Sequence, residues 1–445
     1  MNVSLPYSRN KRYLTGMDWL IAGLNDMTTR STSGGIRSQV ALELDSKPDT
    51  AALKDILSET VSDFPELSGK ISRDINLAPY WKINTAAPAP VPSVSVHEQN
   101  TDRHITGNTF TSLSRAVNKD SHLNDNSLCF HVFSQEKSSQ HYLSMTFDHT
   151  LFDALGAEAF LAVLNKRFAA PENDIIRPPL SEPAHLDNWT KKFQAGRRIN
   201  RFFRAMMKDG TACIPLPQAT RVRKFHFKHS VFEQDESKRI FDNACRHAGY
   251  FMLTPYILSA VAKAFHELNV AGQNKNDSYI VPVSIDARPG NNAANTLFFN
   301  NLSFMYFHIR PDNIAGIGPL TQLMTRRMYE IKRSGLSEDL ADASMLMRIL
   351  PLPLIGRLMR TLRPLLGSFS FSFLNGSGSG LSDFMGTRVL NLFHMPRVPA
   401  PPGAGFFFNM HDSKLNMVVS FIDGLIDEST TDKLEGRIRE LLLEG

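Results

Sequence analysis

Apolar residues recur with a period of two and then of 3.6 along this chain, and they do so on both sides of one interruption rich in proline and basic residues. No other feature narrows the possible folds as much. Before the interruption, "RSQVALELD" alternates as a half-buried strand does, and "DTAALKDILSETVSDF" sets Leu53, Ile56, Leu57, Val61 and Phe64 on one helical stripe. "PSVSVHEQ", "SLCFHVFSQ" and "HYLSMTFDH" read as further strands, the last two joined by the polar turn "EKSS", and residues 153–168 read as a helix. From about 171 to 222 the composition shifts to Pro, Arg and Lys in "PPLSEPAH" and "CIPLPQATRVRK", which reads as a crossover. The expected division is residues 1–175 as one half, 176–223 as a linker and 224–445 as a second half.

The second half repeats the grammar. "KFHFKHSVF", "YIVPVSID", "NNLSFMYFHIR" and "LNMVVSFIDG" are strand-like, while "LTQLMTRRMYEIK" and "TDKLEGRIRELLLE" are helical. "TPYILSAVAKAFHEL" is expected to open with Thr254 as N-cap and Pro255 at the first helical position, with Leu258, Val261, Phe265 and Leu268 on its apolar face. Strands and helices mixed in both halves predict an α/β (α+β) protein of two similar domains, each a mixed sheet with helices.

Length and composition agree with that class. A chain of 445 residues is long enough for roughly two to three domains. Its 42% hydrophobic and 21% charged content are ordinary for a globular protein, which argues against disorder or a fibrous repeat. The net charge of +5 favours an anionic ligand, an acidic partner or a membrane surface, and is too diffuse to imply nucleic acid. Cys129, Cys213 and Cys245 are far apart and odd in number, so neither a disulfide framework nor a metal knuckle is expected, and a reducing cytoplasm fits best. The first residues lack the continuous apolar stretch of a secretory signal, and no run of about twenty apolar residues predicts a spanning helix.

Chemistry concentrates where one period gives way to the other, at "MTFDHTLFDALGAEAFL". Alternation puts Leu143, Met145, Phe147 and His149 on one face of the strand and Tyr142, Ser144, Thr146 and Asp148 on the other. A histidine at a buried strand end acts as a general base when a second group orients it and solvent is limited, and Asp153 is close enough to brace the turn. The competing readings are a satisfied core histidine and a capping box from Thr150 to Asp153. No other histidine recurs nearby at ligand spacing, so no metal is expected.

The stretch "FDHTLFDA" resembles the His-His-x-x-x-Asp-Gly signature of the coenzyme A-dependent acyltransferase superfamily. That superfamily includes chloramphenicol acetyltransferase, condensation domains of nonribosomal peptide synthetases, wax ester synthases and plant BAHD acyltransferases. Asp148 stands in the first-histidine position and Ala154 in the glycine position, while His149 and Asp153 match. "YLTGMDWL" and "FPELSGKI" resemble the opening motifs of the wax ester synthase and condensation-like branches. "VPVSIDARPG" resembles an arginine segment of the second half, with Arg288 in the arginine position, and "FLNGSGSGLSDFMGTRVLNLFHMP" resembles a late motif that carries an asparagine, here Asn375. Order and spacing agree from about residue 13 to the end.

The resemblance implies two chloramphenicol acetyltransferase-like domains with a tunnel between them and His149 midway along it. It implies an acyltransferase in which His149 takes a proton from a hydroxyl or amine acceptor as that group attacks a thioester. Asp153 and Arg288 would form a supporting ion pair, and Asn375 and Asp148 are candidates for positioning substrate or an oxyanion. No permanently bound cofactor is implied; acyl-CoA or an acyl-phosphopantetheine carrier serves as co-substrate, and the protein is expected to be a monomer. A stand-alone condensation-like protein using carrier-bound substrates, and a non-catalytic docking relative, are the alternatives. Two further stretches stay open. Asn300 and Asn301 lack the glycine that often precedes them in relatives, and residues 343–382 hold Arg348, Arg357, Arg360 and Arg363 without one acid. The latter reads as a proline-broken helix pair with solvated arginines, or as a surface for lipid or a carrier partner.

Overall fold

The computed structural model describes residues 11–30, 32, 34–84, 89–99, 105–119, 128–135, 141–171, 188–216, 223–250, 252–271, 277–288, 297–378 and 380–445. The segments "PPLSEPAH", "EKSS" and "QATRV" lie outside the described residues.

Two six-stranded mixed sheets carry the molecule. In the first, the strands run in the order Asp383–Phe384, Thr387–His394, Arg37–Leu44, His141–Asp148, Leu128–Gln135 and Ser93–Gln99. In the second the order is Leu302–Ile309, Tyr279–Asp286, Ser370–Leu374, Ala404–His411, Lys414–Ile422 and Phe225–Phe232. Both alternate as their sequences predict: Leu143, Met145 and Phe147 enter one apolar core with Trp19, Phe152 and Phe160, and Val283, Phe307, Phe371 and Phe406 enter another with Tyr256 and Phe265. Each such aromatic or aliphatic side chain removed from water contributes about 1.5–3 kcal/mol, so these two clusters are what the sheets are built to bury.

The halves are not contiguous in the chain. Asp383–Phe384 and Thr387–His394 fall within the expected second half, yet they complete the first sheet, with Leu392 opposite Leu42 and His394 opposite Val40. This crossover covers the exposed edge of Arg37–Leu44, whose backbone groups would otherwise be left to solvent. The chain then returns to the second sheet at Ala404–His411, parallel to Ser370–Leu374. Period-two alternation identifies a strand and does not say which sheet it joins.

Two local expectations change. Helix Leu253–Glu267 begins before the predicted cap: Met252 occupies the N-cap, and Thr254 and Pro255 lie inside the first turn. Within residues 343–382, a short 3-10 turn, Met345–Ile349, is separated by Pro351 from helix Leu352–Thr361. Arg348 is buried there, while Arg357 and Arg360 are exposed. This helix packs on Gly16–Thr29 so closely that a Cβ at Gly23 would sit 2.3 Å from Ile355.

Candidate active site between the two halves

Strand His141–Asp148 ends because Asp148 turns on its own backbone. Its Oδ1 accepts hydrogen bonds from the Thr150 amide and hydroxyl, both at 2.8 Å. Such a turn mimics a backbone turn and tolerates no further pleat. His149 stands in the turn, one residue past the strand, so the turn sets its direction and the strand alternation does not. Leu143, Met145 and Phe147 face the first core, while His149 lines a cavity of about 470 Å³ between the halves. Leu20 and Leu24 from the first half, Ser284 and Phe304 from the second sheet, and Phe203 and Met359 from flanking helices form other parts of its wall.

A loop of the second half grips that turn. The Phe299 amide donates to the Leu151 carbonyl at 2.7 Å, Asn300 Nδ2 to the His149 carbonyl at 2.9 Å, and the Asn301 amide to Asp153 Oδ2 at 2.9 Å. Phe299 adopts φ +71°, a region that a bulky side chain rarely enters and that costs about 1–3 kcal/mol. The surroundings hold it there: its ring is fully buried against Trp81 and beneath the Arg12 guanidinium, 3.6 Å from the ring centre. Close approach also needs Gly156, where a Cβ would meet the Leu297 carbonyl oxygen at 2.2 Å.

Asn300 has a third bond. Its amide donates to Asp18 Oδ1 at 2.9 Å, and Asp18 closes a capping box with Thr15 at the start of helix Gly16–Thr29. The "TGMD" run therefore anchors the loop that meets His149. Because the His149 carbonyl can only accept, the Asn300 amide nitrogen must face it and Oδ1 must face the imidazole, 3.0 Å from Nδ1. Nδ1 then carries the proton, and Nε2 is left as the acceptor. Asn300 is the site residue whose role sequence reasoning left open; the signal was the "NN" pair at a strand start.

Asp153 is itself the N-cap of helix Ala154–Ala169, accepting from the Gly156 amide at 2.8 Å, and Thr150 instead bonds Asp148. The same carboxylate oxygen accepts from Arg288 Nη2 at 2.7 Å, and Arg288 Nη1 reaches Asp286 at 2.8 Å. Both Asp153 and Arg288 are buried. Burial opposes the Arg288 charge, but the Asp153 and Asp286 carboxylates outweigh it and hold its pKa above the ordinary guanidinium value.

Asn375 and Asp148 do not line the cavity: Asn375 is exposed in the turn after Ser370–Leu374, and Asp148 is engaged with Thr150. Two residues beyond Asn375 the same loop turns inward. Ser377 Oγ donates to Glu158 Oε1, the Gly378 amide to Glu158 Oε2 at 2.7 Å, and His394 Nε2 lies 2.6 Å from Glu158 Oε1. Here a carboxylate separates the serine from the histidine, which is the wrong order for an activated nucleophile. The cluster instead ties the crossover to the helix that follows His149.

An imidazole oriented by Asn300 thus stands at the wall of a largely apolar cavity between the halves. No protein-family model and no curated protein matches the sequence. Solved structures do. The first condensation domain of the calcium-dependent antibiotic synthetase is 14% identical, with a TM-score of 0.71 over 98% of this chain and 96% of that one. Trichothecene 15-O-acetyltransferase from Fusarium sporotrichioides is 14% identical, with a TM-score of 0.69 over 97% of this chain and 94% of that one. The epimerization domain from the third module of tyrocidine synthetase B is 12% identical, with a TM-score of 0.62 over 98% of this chain and 95% of that one. With two mixed six-stranded sheets meeting at a shared cavity, this chain has the two-domain fold seen in these condensation, epimerization and acetyltransferase structures.

Proposed function

We propose that the protein is an acyltransferase that moves an acyl group from a thioester donor to a hydroxyl or amine, with His149 as general base. The observation that carries the reading is the Asn300 contact at 3.0 Å, which leaves Nε2 of His149 as a proton acceptor at the wall of the cavity. The acceptor's O–H or N–H proton passes to Nε2 as its lone pair attacks the thioester carbonyl. The carbon–sulfur bond then breaks, and the same proton passes to the departing thiolate. No acyl-enzyme is required, because holding two substrates against one base supplies much of the advantage. A cavity of about 470 Å³ with mainly apolar walls suits an acyl chain.

The donor is acyl-CoA or an acyl-phosphopantetheine carrier, used as a co-substrate. Condensation domains among the similar structures favour a second reading, a stand-alone condensation-like protein acting on carrier-bound substrates. Thiol release from a panel of acyl-CoAs and acylated carrier proteins, with hydroxyl and amine acceptors, tests both. His149→Ala is expected to keep the fold and lose at least about a hundredfold in rate, the usual scale for a general base. Turnover by this variant at the wild-type rate would remove His149 from the reaction. Turnover with acylated carrier alone selects the second reading.

A further inference from the structure

Helix Trp189–Met206 presents successive strips as one moves round it from the cavity. Gly196, Ile199 and Phe203 line the cavity wall. Beside them stand Trp189 and Phe193, stacked with ring centres 6.1 Å apart and exposed at 40% and 57%. Next round come Arg197, Arg201 and Arg204, all exposed. Helix Leu352–Thr361 repeats the order: Leu358 and Met359 line the cavity, Leu354 is 45% exposed beside them, and exposed Arg357 follows.

We infer that this rim, where two helices flank the cavity with exposed apolar side chains backed by arginines, docks on an anionic lipid bilayer. Three observations favour a bilayer. On both helices the exposed apolar side chains stand next to positions that line the cavity, which suits an apolar substrate entering from lipid. A tryptophan–phenylalanine pair beside arginines is the composition of a surface seated at the headgroup boundary. The charges are also sorted. On the far edge of helix Trp189–Met206, Lys191 and Arg198 are paired with Asp342 and Asp339. Arg197, Arg201 and Arg357, on the rim side, form no ion pair among the described residues and remain available to phosphate headgroups. No described helix is long and apolar enough to cross a membrane. The inference stands apart from the acyl-transfer reading, because vesicle binding is measured without turnover.

The test is co-sedimentation of the full chain with vesicles of phosphatidylcholine, with or without phosphatidylglycerol, alongside tryptophan fluorescence. Trp19 and Trp81 are 1% and 5% exposed, so a blue shift, or quenching by brominated lipid, reports Trp189. The expected result is binding that requires phosphatidylglycerol, weakens with salt and moves the emission to the blue. Arg357→Ala, an exposed change that leaves folding intact, should weaken binding about fivefold. Phe193→Ser with Leu354→Ser, and Arg197→Glu with Arg201→Glu, should each weaken it at least about tenfold at unchanged melting temperature. Equal partition onto neutral and anionic vesicles, or unaltered emission, would overturn the proposal. So would a wild-type chain that ignores vesicles but binds an acylated carrier protein through these residues, which would make the rim a protein dock.

Discussion

Asn300 holds His149 at both ends: Nδ2 donates to the histidine's carbonyl at 2.9 Å, and Oδ1 accepts from its Nδ1 at 3.0 Å. The two residues come from different halves, so the orientation and tautomer of the imidazole depend on how the halves meet.

Asn300→Ala should therefore lower kcat by roughly tenfold to a hundredfold, with little change in KM, because the ring loses its orienting partner while the cavity keeps its shape. Thiol-release kinetics at saturating donor measure this. A wild-type kcat would show that the ring needs no such partner.

Arg288→Ala strands the buried Asp153 carboxylate and should cost about 3–5 kcal/mol of stability along with activity, while Asp153→Ala leaves Arg288 with Asp286 and should cost less. Replacing both should cost less than the sum of the two. Thermal and denaturant melting of the three variants measure the coupling, and strict additivity would mean that the 2.7 Å contact contributes nothing of its own.

Glu158→Ala should loosen the crossover, because Ser377, Gly378 and His394 all lose their shared acceptor. Hydrogen exchange is expected to quicken in residues 375–394 and to stay unchanged in strand Leu302–Ile309, which the cluster does not touch. Uniform acceleration across both would point to global destabilisation instead.

Stability should fall as pH drops from about 6.5 to about 4. Burial pulls His229 down to about 4, against its hydrogen bond to Asn416; burial and then the neighbouring His97, Lys119 and Arg37 pull His131 to about 4. In this window the unfolded chain takes up protons that the folded chain refuses, so the contribution is complete above the unfolded value and is lost with acid, by about 1.4 kcal/mol per unit for each group. His229→Gln should flatten the slope of melting temperature against pH, and an unchanged slope would exclude His229 as its source.

Much of the site was legible locally. His149 and Asp153 sit where the apolar period changes, and Arg288 follows a clear strand; the fold itself was legible from alternation and from the resemblance of several spaced motifs. Three details were not. Alternation carried through to His149 would face it toward the core of Leu143 and Phe147, but the Asp148 turn ends the pleat one residue earlier. In "FLNGSGSG", Asn375 drew notice as the motif residue, yet Ser377 is the side chain that turns inward, because the turn and not the composition decides which position faces Glu158. Thr254 has the chemistry of an N-cap, but the helix starts one residue before it.

Local pattern alone marked many of the strands and helices, their apolar faces and the point where a histidine meets a helix start, since these follow from side-chain period and backbone preference among near neighbours; it read residues 176–223 as a linker, where helix Trp189–Met206 forms. Tertiary structure decided that Thr387–His394 joins the first sheet, that Asn300 meets His149, and that helices Trp189–Met206 and Leu352–Thr361 both line one cavity. Each of these joins residues far apart in the chain. Hydrogen bonds and buried area across such distances depend on the packed arrangement of both halves, and no short-range period encodes them.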